Sequence, residues 1–188
     1  EIESSLGRAD EAVKRAEAGL QTKPTRGLLS QHAENAEIAG VVSETSLSSS
    51  AAFLEQEPGN ASVALLHGRQ LLALGQTNEA SAWFQALVER NPAMIPALLA
   101  LKDASTLDGE FQKAAEHARD AAAVNPSSVD VTRRYALALA ENERWHRALR
   151  KLRSVAAQDP LQAIPVLAYR LVTDCPYPGR NNVDQVRA

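Results

Sequence analysis

Five prolines, Pro24, Pro58, Pro92, Pro126 and Pro160, stand 34 residues apart at every step. A period of this length means one supersecondary unit repeated along the chain, because each unit must bury its apolar face against the next. A small residue falls 12 positions before each of these prolines: Ala12, Ser46, Ala80, Ala114 and Ala148. Seventeen positions before them stand Gly7, Val41, Gly75, Gly109 and Glu143. Any fold for this chain has to place those positions in equivalent surroundings.

The unit is clearest from Ala61 to Met94. Val63, Ala64, Leu66, His67, Leu71 and Leu74 recur at helical spacing and the pattern stops at Gly75, a residue free to take positive φ and close a helix. Thr77 is the expected N-cap of the next helix, with Glu79 in its first turn complementing the helix dipole. Ala80, Trp83, Phe84, Leu87 and Val88 form its apolar stripe, which ends before Asn91-Pro92, since the residue preceding a proline is pushed out of the helical region. Each period therefore reads as helix, tight turn, helix, proline turn. The next copies run through Leu98, Leu101 and Ser105 to Gly109, then Phe111, Ala114, Ala118, Ala121 and Pro126. After them come Thr132, Tyr135, Ala136 and Leu139, then Trp145, Ala148, Leu152, Val155 and Pro160. Ser127 with Asp130 reads as a capping-box variant opening one of these helices. Gly68 and Ala136, and likewise Ala80, Ala114 and Ala148, mark sites where helices cross too closely for a large side chain.

In the middle copy Ala64, His67, Gly68 and Leu71, then Ala80 and Phe84, then Pro92, stand at the positions of the W-x2-L-G-x2-Y, A-x3-F and P signature. The chain thus resembles the tetratricopeptide repeat family, with most aromatic sites replaced by aliphatic ones, Lys102 at a small-residue site, and Ala118 and Leu152 at the Phe site. The resemblance is fullest from Asn60 to Pro160, clear from Leu6 to Pro24 and thinnest from Thr25 to Pro58, where Ser43 to Ser50 is rich in serine, a mediocre helix former. It implies an all-α fold, a right-handed superhelical α-solenoid of antiparallel helix pairs. The expected partition is the C-terminal part of a repeat at 1–24, a divergent repeat at 25–60, repeats at 61–94, 95–128 and 129–162, and a partial repeat or capping helix and tail at 163–188. A chain that opens in mid-repeat is expected to be an excerpt of a longer solenoid.

In this family the first helices of the repeats line a concave groove that holds peptides or protein segments. Carried over by register, the groove rows here are Leu65, Leu99 and Arg133; Arg69, Asp103 and Leu137; and Leu72, Thr106 and Ala140. The alternative for each is packing within a repeat or plain solvation. Mixed apolar and charged rows suit an amphipathic or extended protein segment. They do not reproduce the Lys/Asn clamp with which chaperone-binding members hold a C-terminal carboxylate, so a partner captured in that way is not expected.

A basic run, Arg144, His146, Arg147, Arg150, Lys151 and Arg153, with Arg133 and Arg134 nearby, admits two readings. One is a candidate patch for an acidic partner such as an anionic polymer, a phosphate or an acidic protein. The other, favoured by the buried stripe of Trp145, Ala148, Leu149, Leu152 and Val155 on the same helix, is a solvated outer face.

No catalytic pattern emerges. His32, His67, His117 and His146 form no H-E-x-x-H, and G-x-S-x-G, G-x-x-x-x-G-K-[ST] and G-x-G-x-x-G are absent. His67 is expected to pack between helices. Cys175 is the one cysteine, in a Pro-rich turn, which excludes an internal disulfide or a cysteine-built zinc site and fits a cytoplasmic or a periplasmic setting equally. Asn60-Ala61-Ser62 matches a glycosylation sequon, but Asn60 reads better as a cap at a repeat junction. A net charge of -3 exerts no overall pull on nucleic acid, and no apolar run reaches the length of a membrane span. The expectation is a non-enzymatic protein-binding scaffold without cofactor or metal. The alternatives are a periplasmic scaffold of a bacterial envelope or exopolysaccharide export machine, and the non-catalytic arm of a larger enzyme.

Overall fold

The computed structural model describes residues 44–158, together with residues 11, 13–15, 18, 19, 25 and 27. Among them every regular element is α-helical: α1 Glu44–Gln56, α2 Ala61–Ala73, α3 Thr77–Arg90, α4 Ile95–Leu107, α5 Phe111–Val124, α6 Val129–Glu141 and α7 Trp145–Gln158. The period is visible in the lengths, since α2, α4 and α6 each have 13 residues and α3, α5 and α7 each have 14. The sequence landmarks Gly7, Ala12, Pro24, Val41, Pro160 and Cys175 lie outside the described residues.

The chain divides into two compact units, Glu1–Asp108 and Gly109–Ala188. In the first, α1 packs on α2, α2 on α3 and α3 on α4, and α2 also touches α4. Its core gathers Leu54 from α1, Val63, Ala64 and Leu71 from α2, Ala80, Phe84 and Leu87 from α3, and Ala97, Ala100 and Leu101 from α4. Phe84 is fully enclosed at 0% exposure. It fits because Gly68, on the facing turn of α2, has no side chain: a Cβ built there would lie 2.5 Å from Phe84 Cε1. The Arg90 guanidinium, at the end of α3, donates to the Pro58 carbonyl at 3.1 Å and ties that end to the turn before α2.

In the second unit α6 packs on both α5 and α7. Alanine carries much of this core: Ala114, Ala115, Ala118 and Ala121 from α5 and Ala136, Ala138 and Ala140 from α6 are buried with Leu139, Ala148, Leu152 and Val155. Small side chains allow close helix approach and give up little rotamer entropy. Phe111, assigned to the α5 stripe on sequence, is instead exposed, because it is the first residue of α5 and lies before the buried Ala114 turn.

The turns follow the chemistry of their residues. α2 closes in a Schellman arrangement: Gln76 N–H donates to Leu71 C=O at 2.9 Å and Gly75 N–H to Leu72 C=O at 3.0 Å, with Gly75 at φ +77. Gly109 takes φ +75. α6 closes in the same pattern, Arg144 N–H to Leu139 C=O at 2.8 Å and Glu143 N–H to Ala140 C=O at 3.0 Å, but here Glu143 occupies the left-handed position at φ 56. A Cβ is disfavoured there by about 1 kcal/mol. Glu143→Gly is accordingly expected to stabilise the fold by about 1 kcal/mol, read as a rise in the midpoint of urea unfolding; an unchanged or lower midpoint would contradict this account.

Two capping expectations need correction. Thr77 is the first helical residue of α3, and Gln76 sits at the N-cap without a side-chain bond, because the Schellman turn already uses the Gln76 N–H and sets the entry to α3. At α6 the cap is Ser128, whose Oγ accepts from Val131 N–H at 3.4 Å, while Ser127 Oγ donates to Asn125 Oδ1. Asp130 is not the second half of a box, because its carboxylate pairs with Arg133 and Arg134. Asn60 caps α2 by accepting from Val63 N–H at 3.2 Å, the role read from sequence.

Candidate binding face

The groove-row residues of the first unit lie on α2 and α4. On α2, positions 63, 64, 67, 68, 70 and 71 are buried; Leu65 and Leu72 are half-buried and Arg69 is exposed. Stepping four and then three residues along a helix keeps a side chain on one face, so Leu65, Arg69 and Leu72 form one stripe. On α4, positions 97, 98, 100, 101, 104 and 105 are buried, and Leu99, Asp103 and Thr106 repeat the same stripe, all half-buried. α2 and α4 touch, so the two stripes belong to neighbouring helices of one unit.

These residues differ in how far they are already engaged. Leu65 and Leu72 pack against the core cluster, so only part of each side chain is offered outward. Asp103 accepts from Lys102 Nζ at 2.9 Å, and Thr106 Oγ1 donates to the Lys102 carbonyl at 2.9 Å. The Lys102 side chain itself is 12% exposed, which shows how a long cation can occupy the site where a small residue stands in other copies: the stem is covered and the ammonium reaches a carboxylate. Arg69 makes no ion pair with any described residue and is the free cation of this stripe.

In the second unit Arg133 and Leu137 are half-buried on α6, but Ala140, at the third row position, is buried in the core cluster, so the α6 row is shorter than the repeat pattern implied. Arg133 Nη2 meets Asp130 Oδ1 at 2.6 Å and Arg134 Nε meets Asp130 Oδ2 at 3.0 Å. Burial raises the Asp130 pKa, but hydrogen bonds and charge from the two guanidiniums outweigh it and hold the carboxyl below its usual range.

Of the basic run on α7, Arg144, Arg147, Arg150, Lys151 and Arg153 are exposed, and Lys151 Nζ lies 5.6 Å from the centre of the Tyr135 ring. Ala148, Leu152 and Val155 are buried on the opposite side of the helix, so the basic residues occupy the outer face.

One constellation escaped the sequence reading. Between α1 and α2, Ser50 Oγ lies 2.8 Å from His67 Nδ1 and 2.9 Å from Gln70 Oε1, and Gln70 Nε2 donates to Ser46 Oγ. All four side chains are buried, and the His67 ring meets Trp83 edge-on at 5.1 Å. The pairing of Ser46 and Ser50 at i and i+4 carried the signal, but helical serines usually face water. The group links α1 to α2 through buried side-chain hydrogen bonds. No group of metal-ligating side chains occurs among the described residues, and none of their helices is long and apolar enough to cross a membrane.

No protein-family model matches the sequence, and no curated protein matches it. Solved structures do. The thermophilic tetratricopeptide protein TTC0263 of Thermus thermophilus is 21% identical at a TM-score of 0.72, over 89% of this chain and 93% of that one. MamA from Desulfovibrio magneticus RS-1, residues 41 to the end, is 17% identical at a TM-score of 0.64, over 86% of this chain and 96% of that one. Likeness at such identity is likeness of fold: the architecture is that of a tetratricopeptide-type α-solenoid.

Proposed function

We propose that this chain, whose fold is that of tetratricopeptide-type repeat proteins, is a non-catalytic scaffold that holds an extended or amphipathic segment of another protein along its first helices. Repeats at 61–94 and 95–128, in the first unit, supply those helices on this reading. The observation that carries it is the matched stripe on α2 and α4. Leu65, Arg69 and Leu72 repeat in Leu99, Asp103 and Thr106, with apolar surface flanking an exposed guanidinium and a carboxylate. Such a stripe offers pockets for side chains and a few charged contacts that fix register, the usual means of recognising a peptide on a helical surface.

The test is affinity capture. Partners taken from an extract of the source organism with the full chain are identified, and the segment that binds is titrated as a peptide. Arg69→Glu is expected to weaken that peptide at least about tenfold, since reversing a charge at an interface typically exceeds about 1.4 kcal/mol. Helical content and melting temperature should stay unchanged for the Arg69 variant, whose side chain is exposed. Capture at wild-type strength by this variant removes the groove assignment.

A further inference from the structure

We propose that the outer face of α7 is a second docking surface, which takes a short cluster of Asp and Glu side chains in an unstructured segment of a protein partner. From Arg144 to Gln158 there are five Lys and Arg and not one Asp or Glu, in a chain whose net charge is -3. All five cations are exposed. Elsewhere in the same unit the cations sit beside carboxylates: Lys113 on Glu110, Arg119 on Asp120, and Arg133 and Arg134 on Asp130. Arg144, Arg147, Arg150 and Arg153 contact no carboxylate among the described residues.

Solvation alone does not account for this placement. Arg144, His146 and Arg147 stand at the N-terminal end of α7, where the helix dipole is positive and an acid is favoured, as Glu79 is in α3. Arg147 and Lys151 are an i,i+4 like-charge pair, and Arg150 lies three residues from both Arg147 and Arg153, so the ridge repels itself along its length. The arrangement weakens the free helix and gains from an anion laid across it.

The chemistry of the face narrows what that anion is. His146, Ser154, Ala157 and Gln158 are the other exposed residues of the helix, so the surface offers no exposed Phe, Tyr or Trp on which bases could stack and no large apolar residue to enter a bilayer. Four of the five cations are arginine, whose fork matches a carboxylate in two parallel hydrogen bonds. The ridge is short: nine residues of helical rise, from Arg144 to Arg153, cover about 13 Å, the span of about four residues of extended chain. Beyond it, among the described residues of the unit, Glu110, Asp120 and Asp130 are already paired with Lys113, Arg119, Arg133 and Arg134. A long, uniformly charged polymer would find cations already engaged by carboxylates beyond the ridge, whereas a local acidic cluster with uncharged flanks matches its length.

The test uses the whole chain and a fluorescent peptide carrying a block of acidic residues between Gly/Ser flanks, titrated by anisotropy at low ionic strength. Saturable binding is expected, weakening as salt rises. Arg147→Glu with Arg150→Glu is expected to reduce affinity at least tenfold at unchanged helicity, and to bind the matching lysine-block peptide that the native chain rejects. Heparin, duplex DNA and anionic phosphatidylglycerol vesicles serve as competitors. No binding, equal binding by the variant, or any of these polyanions bound more tightly than the peptide overturns the proposal.

Discussion

Replacing Gly68 with leucine is expected to lower stability by about 3 kcal/mol, the upper range for overpacking a core, and the melting temperature by on the order of 10 °C. Even a methyl group at this position would lie 2.5 Å from Cε1 of Phe84 and 3.0 Å from Cδ1 and Cζ. The ring cannot swing aside, because Phe84 is wholly enclosed among Val63, Ala64, Leu71, Ala80 and Leu87 in the same core cluster. Helix propensity points the other way, since glycine inside a helix is worse than leucine by somewhat under about 1 kcal/mol; the steric term decides the sign. Phe84→Ala alone is expected to cost about 3–5 kcal/mol through the cavity it leaves. In the double variant Gly68→Leu/Phe84→Ala the new side chain enters that cavity, and the loss should fall short of the sum by at least about 1 kcal/mol. Gly59, with nothing within 4 Å of a built Cβ, is the control: Gly59→Ala should lie within about 0.5 kcal/mol of the native chain. Additive losses in the double variant would mean that Gly68 and Phe84 do not share one space.

That prediction rests on a pair legible in the sequence only by half. Gly68 falls at a site where the repeat pattern demands a small residue, and Ala136 at the equivalent site of α6 is buried as well. Which side chain forbids a larger one is a matter of packing, and the pattern names no partner. The same division runs through the chain. Period, helix order, the Gly75 turn and the buried alanines Ala80, Ala114 and Ala148 could be read directly, because each is set by local spacing and backbone chemistry. The caps at Gln76 and Ser128 were displaced by one residue, as competing donors and acceptors in a turn shift a boundary at little cost. Of the proposed binding rows, periodicity gave which helix face of α2 and α4 is left outside the core. The engagement of Asp103 by Lys102 and of Arg133 by Asp130 could not be read in this way, since rotamers decide ion pairs. Ala140 failed as a row position because α6 turns that residue into the core. Serine-rich α1 was the least legible element, and the reason is the polar seam along which it meets α2.

Ser50→Ala is expected to destabilise the first unit by about 2–3 kcal/mol, because it strips two buried groups of their partner. Ser50 has one hydroxyl hydrogen and three neighbours, the Leu47 carbonyl at 2.8 Å, Gln70 Oε1 at 2.9 Å and His67 Nδ1 at 2.8 Å. Both oxygens can only accept, so the seam is satisfied when His67 Nδ1–H donates to Ser50 Oγ, Ser50 O–H donates to Gln70 Oε1, and the Gln70 amide donates to Ser46 Oγ. Nδ1–H is a donor in neutral and protonated imidazole alike, so it is burial and not this bond that disfavours the charged form. Burial lowers the His67 pKa from 6.5, with the Glu79 carboxylate opposing in part. The unfolded chain then binds a proton that the folded chain refuses, so stability is full above the unfolded pKa of 6.5 and falls as pH drops through and below it. Burial shifts His117 in the same direction, with Asp120 and Glu116 opposing, so the described residues supply two such contributions. His67→Leu with Ser50→Ala and Gln70→Leu removes the seam as a whole; replacing every partner by an apolar group of similar shape is expected to recover most of the loss and to leave the His117 contribution alone. Urea unfolding at about pH 7.5 and about pH 5.5 separates these cases, because only the native chain and Ser50→Ala retain the larger acid sensitivity. A Ser50→Ala variant as stable as the native chain, or a triple variant with undiminished loss of stability in acid, would place the attachment of α1 in its apolar contacts through Leu47, Phe53 and Leu54 instead.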